Sequence, residues 1–148
     1  MILLDTNILV YAVNADAPQY ASCHALLNAG FERRIPVAVV PQVLLEFLSV
    51  ITNPRRVSRP LAPPVAWEQV EILRANLPVR GLESDALTVL GQLILARQPV
   101  GRGIFDLFLA TQMRTHGIRT ICTYNGSDFA QLPDIEAITP EVALAGAG

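Results

Sequence analysis

The chain has 148 residues and a formal net charge of -2, with 51% hydrophobic and 16% charged residues. That composition excludes a disordered chain and leaves no room for a second independent core, and the near-neutral charge gives none of the basic footprint that nucleic-acid binding by electrostatics alone would need. No apolar run reaches the roughly 18 residues of a membrane span, and Met1-Ile2-Leu3-Leu4-Asp5 lacks the basic start of a signal peptide, so a cytoplasmic protein with no membrane partner is expected. All eleven basic residues are Arg, a side chain that forks onto phosphates. Cys23 and Cys122 fit neither a disulfide framework nor a zinc spacing and read as reduced, buried or half-buried thiols.

Ile2-Leu3-Leu4 reads as a buried first strand that stops at Asp5. Asp5-Thr6-Asn7 offers capping oxygens to an apolar helix over Ile8 to Val13. A second helix is expected from Gln19 to Phe31, with Gly30 near its end. Pro36 to Val40 is β-branched and closed by Pro41, which makes it the second strand. A helix follows from Gln42 to Ile51 and ends at Asn53-Pro54. Arg55 to Pro64 reads as a loop, Val65 to Asn76 as a helix, and Leu77 to Arg80 as a short third strand. Ser84 is positioned as an N-cap for a helix reaching Arg97. Phe105 to His116 is helical, with Phe105, Phe108, Leu109 and Met113 on one stripe and Gly117 as the stop. Thr120 to Thr123 and Ile135 to Ile138 complete the strands, and the Ala- and Gly-rich tail after Pro140 is expected to fray.

Strands that alternate with helices imply an α/β fold with a parallel sheet covered on both faces. Ligands then bind beyond the carboxyl ends of the strands, where Asp5 and the segment Thr123 to Asp128 lie. Three acids stand out by their surroundings. Asp5 follows a buried strand, Glu46 sits in Val43-Leu44-Leu45-Glu46-Phe47-Leu48, and Asp106 sits in Gly103-Ile104-Phe105-Asp106-Leu107-Phe108. A carboxylate in an apolar helix is expensive unless it is paired, faces a cleft or binds a metal. The bland alternatives are a helix cap for Asp5, a narrow solvent stripe with Gln42 and Ser49 for Glu46, and a favourable place at a helix N-terminus for Asp106. Asp128, in a turn, carries the weakest signal of the four. Carboxylates brought together raise one another's pKa unless a cation sits among them, and oxygen-only ligands suit Mg²⁺ or Mn²⁺. Such ions support phosphodiester cleavage by water.

Met1-Ile2-Leu3-Leu4-Asp5-Thr6-Asn7-Ile8-Leu9 resembles the opening of PIN-domain nucleases. Glu46 matches that family's second acid. Phe105-Asp106-Leu107-Phe108-Leu109-Ala110 resembles the segment carrying its third, and Thr123-Tyr124-Asn125-Gly126-Ser127-Asp128-Phe129 its closing motif. With the single-domain length and Thr52-Asn53-Pro54-Arg55, the chain looks most like the VapC toxins of bacterial toxin–antitoxin pairs. The resemblance implies one PIN domain over 1–140, followed by the tail 141–148. It implies a three-layer α/β/α fold with a parallel sheet of four to five strands. The implied activity is an endoribonuclease dependent on Mg²⁺, with Mn²⁺ as a substitute, leaving 3′-hydroxyl and 5′-phosphate ends on a substrate such as tRNA or rRNA. Homodimerisation and neutralisation by a VapB-like antitoxin come with it.

By that reading Asp5 and Asp106 are the direct metal ligands, while Glu46 and Asp128 bind through water or orient it. Thr6, Asn7 and Thr123 support them. Asn125 stands where many members have Asp, so either Asn125 or Asp128 completes the site. Arg55, Arg56, Arg59 and Arg102 are candidates for RNA phosphate contact, against the alternative of a solvated loop and turn. His24 and His116 read as surface residues and Trp67 as a helix-packing one. Two other functions stay open: a PIN nuclease of RNA processing with no antitoxin, and an RNA-binding module with weak or no metal chemistry.

Overall fold

The computed structural model describes residues 1–147. Its α/β architecture is the one expected from alternating elements, a parallel sheet with helices. The strands are β1 (Ile2–Leu4), β2 (Val37–Ala38), β3 (Thr120–Cys122) and β4 (Glu136–Ile138). They lie in the order β2-β1-β3-β4, all parallel. β1 and β3 are central, and Leu3, Leu4, Ile121 and Cys122 are fully buried, as the unbroken apolar runs of interior parallel strands require. Strand order reverses between β1 and β3, the topological switch point at which α/β sheets open a crevice.

The helices are α1 (Thr6–Ala12), α2 (Tyr20–Phe31), α3 (Pro41–Ile51), α4 (Pro63–Asn76), α5 (Ala86–Arg97), α6 (Gly103–Thr115) and α7 (Pro140–Ala145). α1 packs on α2 and α3, α3 on α4, α2 on α7, and α5 on α6. Pro41 stands in the first turn of α3, where its missing N–H is harmless. Gly30 is not a terminator but a close approach inside α2: a Cβ there would stand 2.4 Å from Val37 Cγ2. Gly117, at φ +65, does end α6 as expected. None of the helices among the described residues is long and apolar enough to cross a membrane.

Several expectations are corrected. The strand over Leu77 to Arg80 shrinks to one parallel bridge, Val39 with Val79, because Pro78 has no N–H to extend a ladder. The tail is not frayed through Ala145: α7 starts at Pro140, buries Ala143 and is clipped by the Tyr124 hydroxyl donating to Glu141 Oε1 at 2.8 Å. Gly148, the last residue of that tail, lies outside the described residues. Asp85, not Ser84, occupies the N-cap position of α5, without a side-chain cap bond. On α6 the buried face runs through Leu107, Ala110 and Met113, and Phe105 is 59% exposed, because the first turn of the helix projects past the core. Trp67 is 46% exposed rather than packed. His24 and His116 are half-buried, with ring nitrogens against the carbonyls of Ala12 and Gly81. Cys23 and Cys122 are free and buried, as expected.

Candidate active site

Asp5 leaves β1 in an extended conformation (φ -78, ψ 160) and caps α1, its Oδ1 accepting the Thr6 backbone N–H at 2.7 Å. The same carboxylate accepts Asn7 Nδ2 at 2.8 Å and the Thr123 hydroxyl at 2.7 Å on Oδ2. Asp5 is therefore a helix cap as well as a candidate site residue, and the same carboxylate that caps α1 is tied to Asn7 and Thr123. Its backbone N–H reaches the Cys122 carbonyl at 3.0 Å, which locks the exit of β1 to the exit of β3. Asn7 extends the link, donating to Thr123 Oγ1 and accepting the Tyr124 N–H. Asn125 N–H closes onto Thr123 Oγ1 at 2.9 Å. Thr123 is a buried polar residue, and its hydroxyl is the knot of this web.

α3 buries Val43, Leu44, Phe47 and Ile51, which turns Gln42, Glu46 and Ser49, one turn apart, toward a cleft. The polar stripe on this helix lines that cleft, with Gln42 and Glu46 half-buried and Ser49 exposed. Glu46 accepts the Thr6 hydroxyl on Oε2 at 3.0 Å and Gln42 Nε2 on Oε1 at 2.8 Å. Asp106 lies in the first turn of α6. Asp128 lies in the single 3-10 turn Gly126–Phe129 that follows β3.

All four acids line one cleft of about 470 Å³, together with Thr6, Asn7, Asn125, Arg56 and Arg102. Burial pushes the Asp5 carboxyl above its ordinary value, hydrogen bonds from Thr123, Thr6 and Asn7 pull back, and the Glu46 charge adds to the rise. Burial also raises Asp106; the charges of Asp128, Asp5 and Glu46 raise it further, and Arg102 opposes them. The smaller, charge-borne part of these rises is what neighbouring carboxylates produce on one another.

Arg55 and Arg59 are not brought to the cleft. Arg59 stands 3.5 Å from Asp16, both side chains exposed. Arg55 is exposed, its backbone N–H bonded to Asn53 Oδ1. The basic cluster thus divides, with one of its three Arg, Arg56, at the rim. Sequence reasoning missed Tyr11, Asn14 and Phe105, which also line the cleft. It named Gln42 only within the alternative of a solvent stripe, although Gln42 stands one helical turn before Glu46, and that spacing was the available signal.

Among the described residues no three Asp, Glu, His or Cys side chains stand close enough to enclose a metal ion. The donors around the cleft are all oxygens, with no Cys or His among its described lining. That set suits Mg²⁺ or Mn²⁺, because Mg²⁺ keeps several waters and takes one or two carboxylates directly instead of needing a closed protein cage.

The PIN domain family model matches residues 2–135. A protein named Ribonuclease VapC24, from Mycobacterium tuberculosis, is 37% identical over 134 residues, covering 87% of this chain and 89% of the relative. Among solved structures, VapBC2 from Rickettsia felis bound to a promoter DNA fragment superposes with a TM-score of 0.66 at 21% identity, covering 94% of this chain and 98% of that one. Mycobacterium tuberculosis VapC20, described as a Sarcin-Ricin loop cleaving toxin, gives 0.66 at 18% identity, covering 89% and 95%.

Proposed function

Because the chain belongs to the PIN-domain family, in its VapC branch, we propose that it is a metal-dependent endoribonuclease and the toxin of a toxin–antitoxin pair. The observation that carries this reading is the convergence of Asp5, Glu46, Asp106 and Asp128 on one cleft from four separate segments. The names of the relatives support RNA as the substrate and a VapB-like protein as the partner.

Asp5 and Asp106 would hold Mg²⁺ or Mn²⁺ directly. When bound, the cation supplies charge neutralisation and Lewis acidity for phosphodiester cleavage. Glu46 is held by Thr6 and Gln42 with a free lone pair on each oxygen, and with Asp128 it orients the attacking water and accepts its proton. Thr6, Asn7 and Thr123 fix the carboxylates. Asp128 contributes the fourth charge, and Asn125 adds a neutral oxygen beside it. Arg56 and Arg102 face the phosphates of a chain laid along the cleft. The protein acts in the cytoplasm, as a homodimer.

The test is cleavage of a labelled RNA by the purified protein in Mg²⁺, in EDTA and as the Asp106→Asn variant. The expected outcome is cutting in Mg²⁺ alone, with at least a ~10²-fold loss in the variant, as for removal of a group acting on transition-state charge. RNA that binds but stays intact in Mg²⁺ and Mn²⁺ would refute the reading and favour the binding module. Rescue of growth by the product of a short adjacent reading frame separates a toxin from an RNA-processing nuclease.

A further inference from the structure

A primary amide inside a core is costly unless its donors and acceptor are matched. Gln112 is such a group: it lies six residues past Asp106 on α6 and is 2% exposed. Its Nε2 donates to Gln42 Oε1 on α3 at 2.8 Å. Gln42 Nε2 donates in turn to Glu46 Oε1 at 2.8 Å and to the Phe105 carbonyl at 3.1 Å. Both N–H groups of Gln42 and its oxygen are thereby used.

This chain of bonds fixes an orientation. A flipped Gln42 would point its oxygen at a carboxylate and a carbonyl, both acceptors, and its NH₂ at the NH₂ of Gln112, a donor. Glu46 and the Phe105 carbonyl demand the NH₂ end of Gln42, and Gln112, whose Nε2 also reaches the Phe108 carbonyl at 3.5 Å, supplies the matching donor to its oxygen and so anchors that orientation to the core. Phe105 immediately precedes Asp106, so the amide that holds Glu46 also grips the turn that carries the other acid. With the Thr6 hydroxyl on Oε2, Glu46 has one donor on each oxygen and cannot rotate.

We infer that Gln112 and Gln42 are a positioning pair that sets the Glu46 carboxylate against Asp106 across the cleft, Gln112 acting through Gln42 and Gln42 through Glu46. Neither is a catalytic residue. The inference rests on the metal-nuclease reading above. It predicts a division of labour that sequence position does not show, in which a core glutamine governs turnover at a distance while leaving RNA binding alone.

Gln42→Met, Gln112→Met and the double variant test it, Met keeping the length of Gln without its amide. Four quantities are read: kcat and KM on a labelled RNA in Mg²⁺, Mn²⁺ affinity of the metal-free protein by electron paramagnetic resonance, and the melting temperature in EDTA. Each single variant should lower kcat about tenfold with KM within about twofold, the pattern of an interaction realised only in the transition state. Mn²⁺ affinity should weaken by about fivefold, because a mobile Glu46 must be ordered on binding. The double variant should be no worse than Gln42→Met alone, since residues acting in series are not additive. Wild-type kcat and Mn²⁺ affinity in Gln112→Met would overturn the inference, as would a double variant whose loss is the product of the single losses. Should Gln112→Met fail to fold, Gln42→Met on the half-exposed rim tests the same link alone. A wild type that neither cuts RNA nor binds Mn²⁺ refutes the nuclease reading itself, whereas an active wild type matched by its variants overturns only this inference.

Discussion

Thr123→Val removes one oxygen and almost no volume, which makes it the cleanest probe of how the acids are held. The hydroxyl donates to Asp5 Oδ2 at 2.7 Å and accepts from Asn7 Nδ2 at 3.1 Å and Asn125 N–H at 2.9 Å. Asn125 is exposed, so water replaces the bond to its N–H. Asn7 keeps its 2.8 Å bond to Asp5. The loss is therefore dominated by the charge-assisted bond to Asp5, worth about 1.5–3 kcal/mol, with a smaller neutral contribution from Asn7, and about 2–3 kcal/mol in all is expected. With a urea m-value of about 2 kcal/mol/M, the unfolding midpoint should fall by roughly 1–1.5 M. The assay is urea unfolding at neutral pH in EDTA, with Thr123→Ser, which keeps the hydroxyl, as the control. The sign with pH follows from the bond's preference for the ionised carboxylate. Losing it lifts an Asp5 carboxyl already raised by burial, so the penalty is full above the folded-state pKa and shrinks as pH falls through it. A Thr123→Val midpoint within about 0.3 M of wild type (roughly 0.5 kcal/mol), or a Ser variant as damaged as the Val variant, would refute the knot role assigned to this hydroxyl.

Two further outcomes concern charge. Asp106→Asn should stabilise the metal-free protein while abolishing cleavage, because it removes a carboxylate raised by burial and by Asp128, Asp5 and Glu46. Because Asp106 is only partly buried and its charge interactions are screened, a gain of no more than about 0.5 kcal/mol, or roughly 1–2 °C by calorimetry in EDTA, is expected, fading as pH falls through the raised pKa, and saturating Mg²⁺ should reverse the order by stabilising only the wild type. The Arg114 fork on Asp134, at 2.5 and 2.6 Å, holds that carboxyl below its ordinary 3.8. Its contribution is thus present above pH 3.8 and lost as pH falls through the lowered value; Arg114→Gln should remove about 1 kcal/mol or less of this acid-sensitive stability, read by unfolding between pH 6 and pH 2.

Elements with a strong local signal were legible in the sequence. The apolar β1, the end of the second strand before Pro41 and the Gly117 stop of α6 were all placed from residue chemistry. Misread elements are those where tertiary packing overrides local preference. An Ala- and Gly-rich tail becomes α7 because Ala143 finds the core and Tyr124 holds Glu141. The Phe105 stripe fails because the first turn of α6 lies beyond the sheet, at the cleft. For the candidate site, an acid among apolar neighbours, together with the family resemblance, marked Asp5, Glu46 and Asp106, which the fold brings to one cleft. The division of the Arg cluster was not legible, since it depends on which loop residue reaches the rim. The Gln112–Gln42 contact was not legible either, because it joins residues 70 apart.

The acids of the cleft are held in a way that bears on their chemistry. The ion pairs among the described residues use Glu32, Asp16, Glu71, Asp134 and Glu83; Asp5, Glu46, Asp106 and Asp128 are in none of them. Asp5 and Glu46 are fixed instead by neutral donors: Thr6, Asn7, Thr123 and Gln42. An Arg locked onto either carboxylate would supply the same rigidity but cancel its charge and occupy the oxygens a cation would use. Neutral amides and hydroxyls orient a carboxylate while leaving its charge and part of its lone-pair capacity in place. The consequence is a site in which the carboxyls of Asp5 and Asp106 are raised first by burial and then by neighbouring carboxylates, with Arg102 partly opposing the rise at Asp106. Under the proposed metal reading, positive charge entering the cleft would lower the cost of ionising these carboxyls, so added Mg²⁺ should raise the melting temperature of the protein.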